Sequence, residues 1–289
     1  MTTILVTGAR GGIGGRVARK LRDAGAAVRG TARDTSAPGL PSGLDVVELD
    51  LADPEPEPAR TAQALDGVEA VFLYPVRGGG IAGFLEAARA AGVRYVVLLS
   101  SPASFAAHEH DRYIGRAHRE IERTLEDSGL AHTLLYPGWL DSNAARDWGE
   151  QIRRGGRVAL PYPEAQFTPI HLDDVAEAAA LLLTGAVSRP RVQVLTGPES
   201  LSLRELVAII GQVTGRTLGV VTIGRDEALA DRPAWMPEAV LETLLAAQQA
   251  AVGVTAPVDN SVARLTGHPA RSFREWVEAH REQFLPEQG

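Results

Sequence analysis

The sequence contains no cysteine and only one lysine, Lys20, so arginine supplies every other basic side chain. Without cysteine the chain cannot form disulfides, thiolate nucleophiles, iron–sulfur clusters or zinc–thiolate sites. Without a second lysine it cannot use P-loop chemistry, a Schiff base or a Tyr-x-x-x-Lys pair elsewhere. Because no apolar run reaches the roughly 18 residues of a membrane span and the start lacks a basic signal region, we expect a cytoplasmic protein.

Positive charge is also in deficit, since the 289 residues carry a formal net charge of -7. This balance argues against nucleic acid as a partner. We therefore expect a small-molecule substrate, no membrane partner, and a monomer or homodimer. A local basic cluster near the N-terminus can still serve a small anion; its members are Arg10, Arg16, Arg19, Lys20, Arg22, Arg29 and Arg33.

Alternating hydrophobic patterns predict an α/β protein with a doubly wound parallel sheet. Residues 1–155 are expected to form this domain and 156–289 a smaller α+β lobe, with some segments returning to the main sheet. The predicted strands are 3–7, 27–32, 45–51, 70–74, 95–100, 132–136, 191–195 and 218–223. The predicted helices, apart from one that starts near Ile13 and ends at Gly25, are 84–91, 111–128, 172–183, 202–215, 237–251 and 272–284. Residues 54–58 are expected to form a polyproline-like surface connection.

A glycine-rich turn between the first strand and the first helix carries the strongest functional signal. Gly8, Gly11 and Gly14 form a Gly-x-x-Gly-x-x-Gly pattern in the strand–turn–helix context that makes such a motif informative. Glycine allows the backbone to approach a pyrophosphate, and the free N–H groups and helix dipole stabilise its charge. With Gly12 and Ile13 the turn predicts a dinucleotide site; the alternative is an ordinary glycine-rich turn.

An arginine follows the second predicted strand, where an NAD site would place Asp or Glu for the ribose hydroxyls. Arg33 suits a 2′-phosphate through a bidentate contact, and Arg10 can flank the same phosphate. The sequence therefore favours NADP(H) as the cofactor. The alternatives are a solvated Arg33, and Asp34 binding a ribose.

With these motifs the chain resembles the NmrA-like branch of the short-chain dehydrogenase/reductase superfamily, an atypical group that includes NADPH quinone reductases and triphenylmethane reductases. The resemblance covers residues 3 to about 200 and is weaker beyond. It implies a Rossmann fold with a C-terminal substrate lobe. The matching stretches are 7–14, 46–51, 67–74, 87–101, 128–138, 171–176 and 195–198.

The resemblance also implies further cofactor contacts at the ends of later strands. Asp50 and Leu51 would flank the adenine. The ribose and nicotinamide would lie beside Leu73, Tyr74, Pro75, Tyr136, Pro137, Gly138 and Trp139. Each of these residues has the alternative of packing a loop at a strand end.

The chain departs from the wider superfamily at the catalytic positions, which usually hold Ser, Tyr and Lys. Ser100 or Ser101 can fill the serine position, and the lysine position falls on His118. Four residues earlier stands Ile114 rather than tyrosine, and Tyr113 is about 100° around the helix. His118, Tyr113 and Ser100 are thus the catalytic candidates, with His118 binding the ribose or donating a proton. The alternatives are a solvated histidine and a packing tyrosine.

Beyond the cofactor, Trp139 and Asn143 are assigned to the substrate, with a core role as the alternative for Trp139. His108 and His110 lack a third ligand, so no metal site is expected. Hydride transfer from NADPH to a quinone, enone or imine/iminium electrophile needs no positioned Tyr–Lys acid, since water can supply the proton. A non-catalytic NADP(H)-binding redox sensor is the alternative, and a nucleotide-sugar epimerase-like enzyme is the third.

Overall fold

The computed structural model describes residues 3–53, 57–76, 79–105 and 113–286. Strands and helices alternate through the N-terminal half, as the hydrophobic pattern predicts. In chain order the strands are β1 Thr3–Val6, β2 Ala27–Ala32, β3 Asp45–Glu48, β4 Val68–Leu73, β5 Tyr95–Leu99, β6 Ala131–Pro137, β7 Arg157–Leu160, β8 Gln166–Phe167, β9 Val192–Leu195, β10 Leu201–Ser202 and β11 Gly219–Thr222.

The helices follow the same numbering. They are α1 Gly12–Asp23, α2 Pro58–Leu65, α3 Gly80–Ala90, α4 Ile114–Asp127, α5 Asn143–Gly155, α6 Leu172–Thr184, α7 Leu203–Thr214, α8 Arg225–Ala230, α9 Glu238–Ala250, α10 Ser261–Thr266 and α11 Phe273–Ala279. Two short 3-10 turns lie at Pro102–Phe105 and Arg281–Phe284. No helix of the described residues is long and apolar enough to span a membrane.

The main sheet of the described residues has the strand order β3-β2-β1-β4-β5-β6-β9. Strands β1 to β6 pair in parallel, and Thr3 of β1 is in register with Ala27 on one side and Val68 on the other. The order therefore reverses direction next to β1, and the loops that follow β1 and β4 meet at this switch point, where open α/β sheets bind ligands. The predicted doubly wound Rossmann fold is confirmed.

The chain forms two compact units, of which unit 1 comprises residues 1–105, 115–137 and 172–194. Unit 2 comprises residues 106–114, 138–171 and 195–289. Unit 1 includes a segment from beyond residue 155, because α6 packs on α1 and β9 joins the sheet beside β6. Each unit has its own hydrophobic core, in unit 1 against the main sheet and in unit 2 around Trp148, Phe273 and Trp276.

Several helices differ from the sequence-based prediction. Helix α5 was not predicted, although Ala144, Trp148 and Ile152 recur at i, i+4 and i+8 and all are buried. Helix α3 begins four residues before the predicted start, and its first residue, Gly80, packs where a Cβ would strike backbone carbonyls of the loop after β3. Pro58 opens helix α2 instead of ending a polyproline stretch; residues 54–56 lie outside the described residues.

Candidate functional site

The turn after β1 is shaped by glycine. Gly8 has a φ of 65°, a left-handed conformation that side chains rarely adopt. The amide of Gly11 donates to the Gly8 carbonyl at 2.8 Å, and Gly11 then caps α1 without any side-chain hydrogen bond. The first N–H groups of α1 are therefore left without a capping side chain at the carboxyl edge of the sheet, where they suit an anion.

Close packing explains the third glycine of the motif. A Cβ at Gly14 would fall on the carbonyl of Gly8, so any larger residue would push α1 away from the turn. Gly30 in β2 is similarly restricted, because its Cβ would come within 2.8 Å of Ala9 in the turn. The turn is thus held against both α1 and β2 by contacts that only glycine permits.

Thr7 joins the glycine turn to the end of β4, a role that the sequence analysis missed. Its hydroxyl donates to the Phe72 carbonyl at 3.1 Å and accepts from the Tyr74 amide at 2.7 Å. Tyr74 is thereby fixed beside Gly8, with 39% of its surface exposed. A polar residue between an apolar strand and the first glycine was the available signal.

Four members of the basic cluster have structural partners, among them Arg22, which donates to the Ser42 carbonyl at 2.7 Å. Arg29 forms an ion pair with Asp45 at 2.8 Å and also donates to backbone carbonyls near the end of α2. On α1, Arg16 pairs with Asp173 of α6 at 3.0 Å, and Lys20 pairs with Glu177 of α6 at 2.9 Å. These four cations hold elements or their connecting loops together.

Arg10 and Arg33 differ, because both are exposed and neither guanidinium group makes a hydrogen bond or an ion pair within the described residues. Arg10 lies beside Gly39, in the loop that follows β2, and contributes to lowering the pKa of Asp34. The larger causes are the hydroxyl and amide of Ser36, which donate to the Asp34 carboxylate at 2.6 and 2.8 Å. Asp34 is therefore already bonded within its own turn.

The predicted contacts at the later strand ends fall into two groups. Asp50 accepts from the Ala52 amide at 2.9 Å, and Pro75 is half-buried. Three other residues at strand ends are buried, namely Leu51, Leu73 and Tyr136, and Ile13 at the start of α1 is buried as well. Pro137 is also buried, at the end of β6.

Ser100 and His118 come together at the end of β5. Ser100 is buried, and its Oγ lies 3.4 Å from Nδ1 of His118 and donates to the carboxylate of Glu122. Glu122 was not among the predicted site residues, although its i+4 spacing from His118 on α4 indicates a shared helix face. Ser101 instead stabilises the following 3-10 turn, since its hydroxyl accepts from the Ala103 amide.

The remaining candidates belong to unit 2. Trp139 stacks on Trp148 with ring centroids 5.7 Å apart and packs against the unit 2 core, and Asn143 is the first residue of α5. Tyr113 is half-buried, and Gly138 packs closely on Thr168. His108 and His110 lie outside the described residues.

The glycine turn, the helix N-terminus behind it and the two exposed arginines fit the phosphates of a dinucleotide. Fold and turn together define a dinucleotide-binding protein of the Rossmann class. A family model described as NAD(P)H-binding matches residues 8–185. The chain belongs to this NAD(P)H-binding family of oxidoreductases, in its NmrA-like, atypical short-chain dehydrogenase/reductase branch.

Individual relatives agree with this membership. A (4-alkanoyl-5-oxo-2,5-dihydrofuran-3-yl)methyl phosphate reductase from Streptomyces griseus is 36% identical, covering 98% of this chain and 100% of the relative. An NAD(P)H azoreductase from Xenophilus azovorans is 31% identical over 97% and 99%. The fold matches an NADPH-dependent quinone oxidoreductase from Escherichia coli complexed with NADPH, with a TM-score of 0.80 and 23% identity over 96% and 99%.

Proposed function

We propose that this protein is an NADPH-dependent reductase of small electrophiles whose acceptor carbon is conjugated to a carbonyl, quinone or iminium group. The observation that carries the proposal is the glycine turn, in which Gly8 and Gly14 leave a backbone surface open to a pyrophosphate. When bound, the reduced nicotinamide supplies a hydride. The chain binds and orients the reactants and excludes water from them.

Arg10 and Arg33 support the preference for the phosphorylated cofactor. Both lie next to the end of β2, where a dinucleotide places its adenosine ribose. Since neither forms a hydrogen bond or an ion pair among the described residues, binding a 2′-phosphate breaks no existing ion pair. Asp34, the alternative ligand for a ribose, is engaged by Ser36.

The proposed class of electrophile follows from which proton-donating side chains the chain can place beside a substrate. Lys20 is the only lysine and is paired with Glu177, so no lysine is available beside a catalytic tyrosine. A conjugated acceptor tolerates this, because the charge left by hydride addition spreads onto an oxygen or nitrogen. The Streptomyces griseus relative is named for a dihydrofuranone whose ring double bond is conjugated to carbonyl groups. Among the acceptors, we therefore favour conjugated carbonyl compounds.

Cofactor binding is tested by calorimetry on the wild type and on Arg33→Gln. Losing a charge-assisted contact with the 2′-phosphate should weaken NADPH binding about 10-fold and leave NADH binding unchanged. Arg19→Gln is the matched control, because it removes the same charge from an exposed position on α1. Equal weakening of both cofactors by Arg33→Gln would contradict the assignment of the phosphate.

Turnover is tested by following NADPH oxidation with paired acceptors. A conjugated enone, a quinone and an iminium compound are each compared with a saturated or non-conjugated analogue. We expect turnover with the conjugated member of at least one pair and none with its partner. If NADPH binds and no acceptor oxidises it, the protein is not a reductase of this class, and the binding-only redox sensor becomes the better description.

A further inference from the structure

A buried polar cluster lies at the end of β5, and Glu122 of α4 is at its centre. Ser100 is 4% exposed and Glu122 is 8% exposed. The Ser100 hydroxyl donates to Glu122, and the same Ser100 oxygen lies 3.4 Å from Nδ1 of His118, which is half-buried. The three groups therefore form a line that leads from a buried carboxylate to an imidazole nearer the surface.

Other groups around Glu122 come from β6 and from the 3-10 turn after β5. The phenol of Tyr136 lies beside Glu122 and Ser104; burial raises the Tyr136 pKa, and the Glu122 and Glu126 carboxylates raise it further. Tyr136 therefore remains a neutral phenol that can donate but does not add charge. The Arg119 guanidinium group donates to the Ser104 carbonyl at 2.9 Å.

Packing alone does not explain a carboxylate in this position. Burying a charged group costs several kcal/mol unless partners compensate. In the described part of the chain no arginine or lysine forms an ion pair with Glu122. Its compensation comes from the Ser100 hydroxyl and the neighbouring Tyr136 phenol, and Ser100 connects it to His118.

We propose that Glu122 is a positioning residue that acts through Ser100 to fix the orientation and tautomer of His118. An ionised carboxylate only accepts hydrogen bonds, so it directs the Ser100 hydrogen toward itself. The Ser100 oxygen is then left to accept from His118, which places the hydrogen of the neutral ring on Nδ1. Nε2 becomes the nitrogen that accepts when the ring is neutral and donates when it is charged.

This assignment gives His118 a defined role, which rests on the proposed function. In the ring's cationic form, Nε2 can pass one proton to the oxygen or nitrogen that gains negative charge when hydride adds to the conjugated carbon. Water then returns a proton to Nε2. The separation of 3.4 Å is long for a hydrogen bond, and such contacts commonly tighten in the reactive complex.

The tautomer is a property of the chain itself and is tested first, without turnover. Nitrogen NMR of protein labelled in its seven histidines should show a hydrogen on Nδ1 of His118, with His118→Ala identifying the signals. Glu122→Gln should lose this preference, because an amide can donate to Ser100 and reverse the chain of hydrogen bonds. Glu120→Gln, an exposed glutamate on the same helix, should not change it.

Turnover then tests the catalytic consequence. Glu122→Gln should lower kcat about 10-fold or more while leaving the KM for NADPH unchanged, in the range expected for a positioning partner. In a His118→Ala background the same change should have no further effect. Ser100→Thr, which keeps the hydroxyl, should retain the activity that Ser100→Ala loses.

The outcomes separate this inference from the proposed function. A hydrogen on Nε2 of His118 in the wild type, or an undiminished effect of Glu122→Gln without His118, would overturn the inference and leave a structural role for Glu122. An Nδ1 hydrogen in a protein that oxidises no NADPH would contradict the proposed function while retaining the positioning. Matching thermal unfolding of each variant shows that the fold is intact.

Discussion

At the scale of single residues, the glycines of the turn after β1 are needed for different reasons. Gly8 is required by its left-handed backbone, whereas Gly14 is required by the carbonyl that its missing Cβ would strike. The first restriction is conformational and the second is steric, so substitutions at the two positions should fail in different ways. Both leave backbone N–H groups accessible to a phosphate.

Gly14→Ala tests the steric restriction. Displacing α1 from the turn should remove hydrogen bonds to the pyrophosphate and weaken NADPH binding by about 10- to 100-fold in calorimetry. Gly83→Ala is the matched control, since Gly83 lies in α3 with no atom near its absent Cβ. This control should keep its affinity and gain about 0.5–1 kcal/mol of stability. Unchanged NADPH binding in Gly14→Ala would refute the assigned role of the turn.

Single residues were only partly predictable from the sequence. The spacing of Gly8, Gly11 and Gly14 indicated the turn, because a local motif determines a local backbone. The position of Arg33 after β2 and of Arg10 in the turn was also indicative, but the pairing of Arg29 was not, since Arg29 meets Asp45 only when β2 and β3 pair. Contacts made across the sheet are absent from any local pattern.

At the scale of elements, the starts of helices are the features that the sequence predicts best. The pattern Ser202-x-x-Glu205 is typical of a capping box, and both hydrogen bonds of that box are present at the start of α7. The same pattern at Ser272 and Glu275 caps α11. These boxes are recognisable because every atom involved lies within four residues of chain.

The α7 capping box implies an acid sensitivity. Hydrogen bonds from the Ser202 amide and hydroxyl lower the pKa of Glu205 below its ordinary value of 4.5. The ionised form of Glu205 therefore stabilises the fold at pH values above its ordinary pKa. This contribution is lost as the pH falls through the lowered pKa of the folded protein. Glu205→Gln should flatten this part of the profile of unfolding free energy against pH.

Chemical unfolding at a series of pH values measures that profile. The exposed Glu199→Gln variant serves as the control for the change of charge in the same region. Identical acid profiles for the wild type and Glu205→Gln would show that the carboxylate contributes nothing through its charge.

At the scale of the whole molecule, the single lysine has a structural position. Lys20 joins α1 to α6 through Glu177, and a partly exposed pair of this kind contributes about 1 kcal/mol. Lys20→Arg keeps the ion pair and produces a lysine-free protein. We expect unchanged NADPH oxidation and an unfolding free energy within about 0.5 kcal/mol of the wild type.

The comparison for Lys20→Arg is Glu177→Gln, which breaks the same ion pair from its other side. It should show a small loss of stability and normal turnover. An approximately 10-fold fall in kcat for Lys20→Arg, with cofactor affinity retained, would instead assign catalytic chemistry to the lysine.

The sequence by itself determined the sheet class, the glycine turn and the capped helices, because hydrophobic period, glycine spacing and capping pairs act within a few residues. Only the tertiary structure decided that residues 172–194 return to unit 1, which of the basic residues are paired, and that Ser100 reaches Glu122. These outcomes depend on strand order and helix packing. They bring together residues that are far apart along the chain, and no local sequence pattern predicts such contacts.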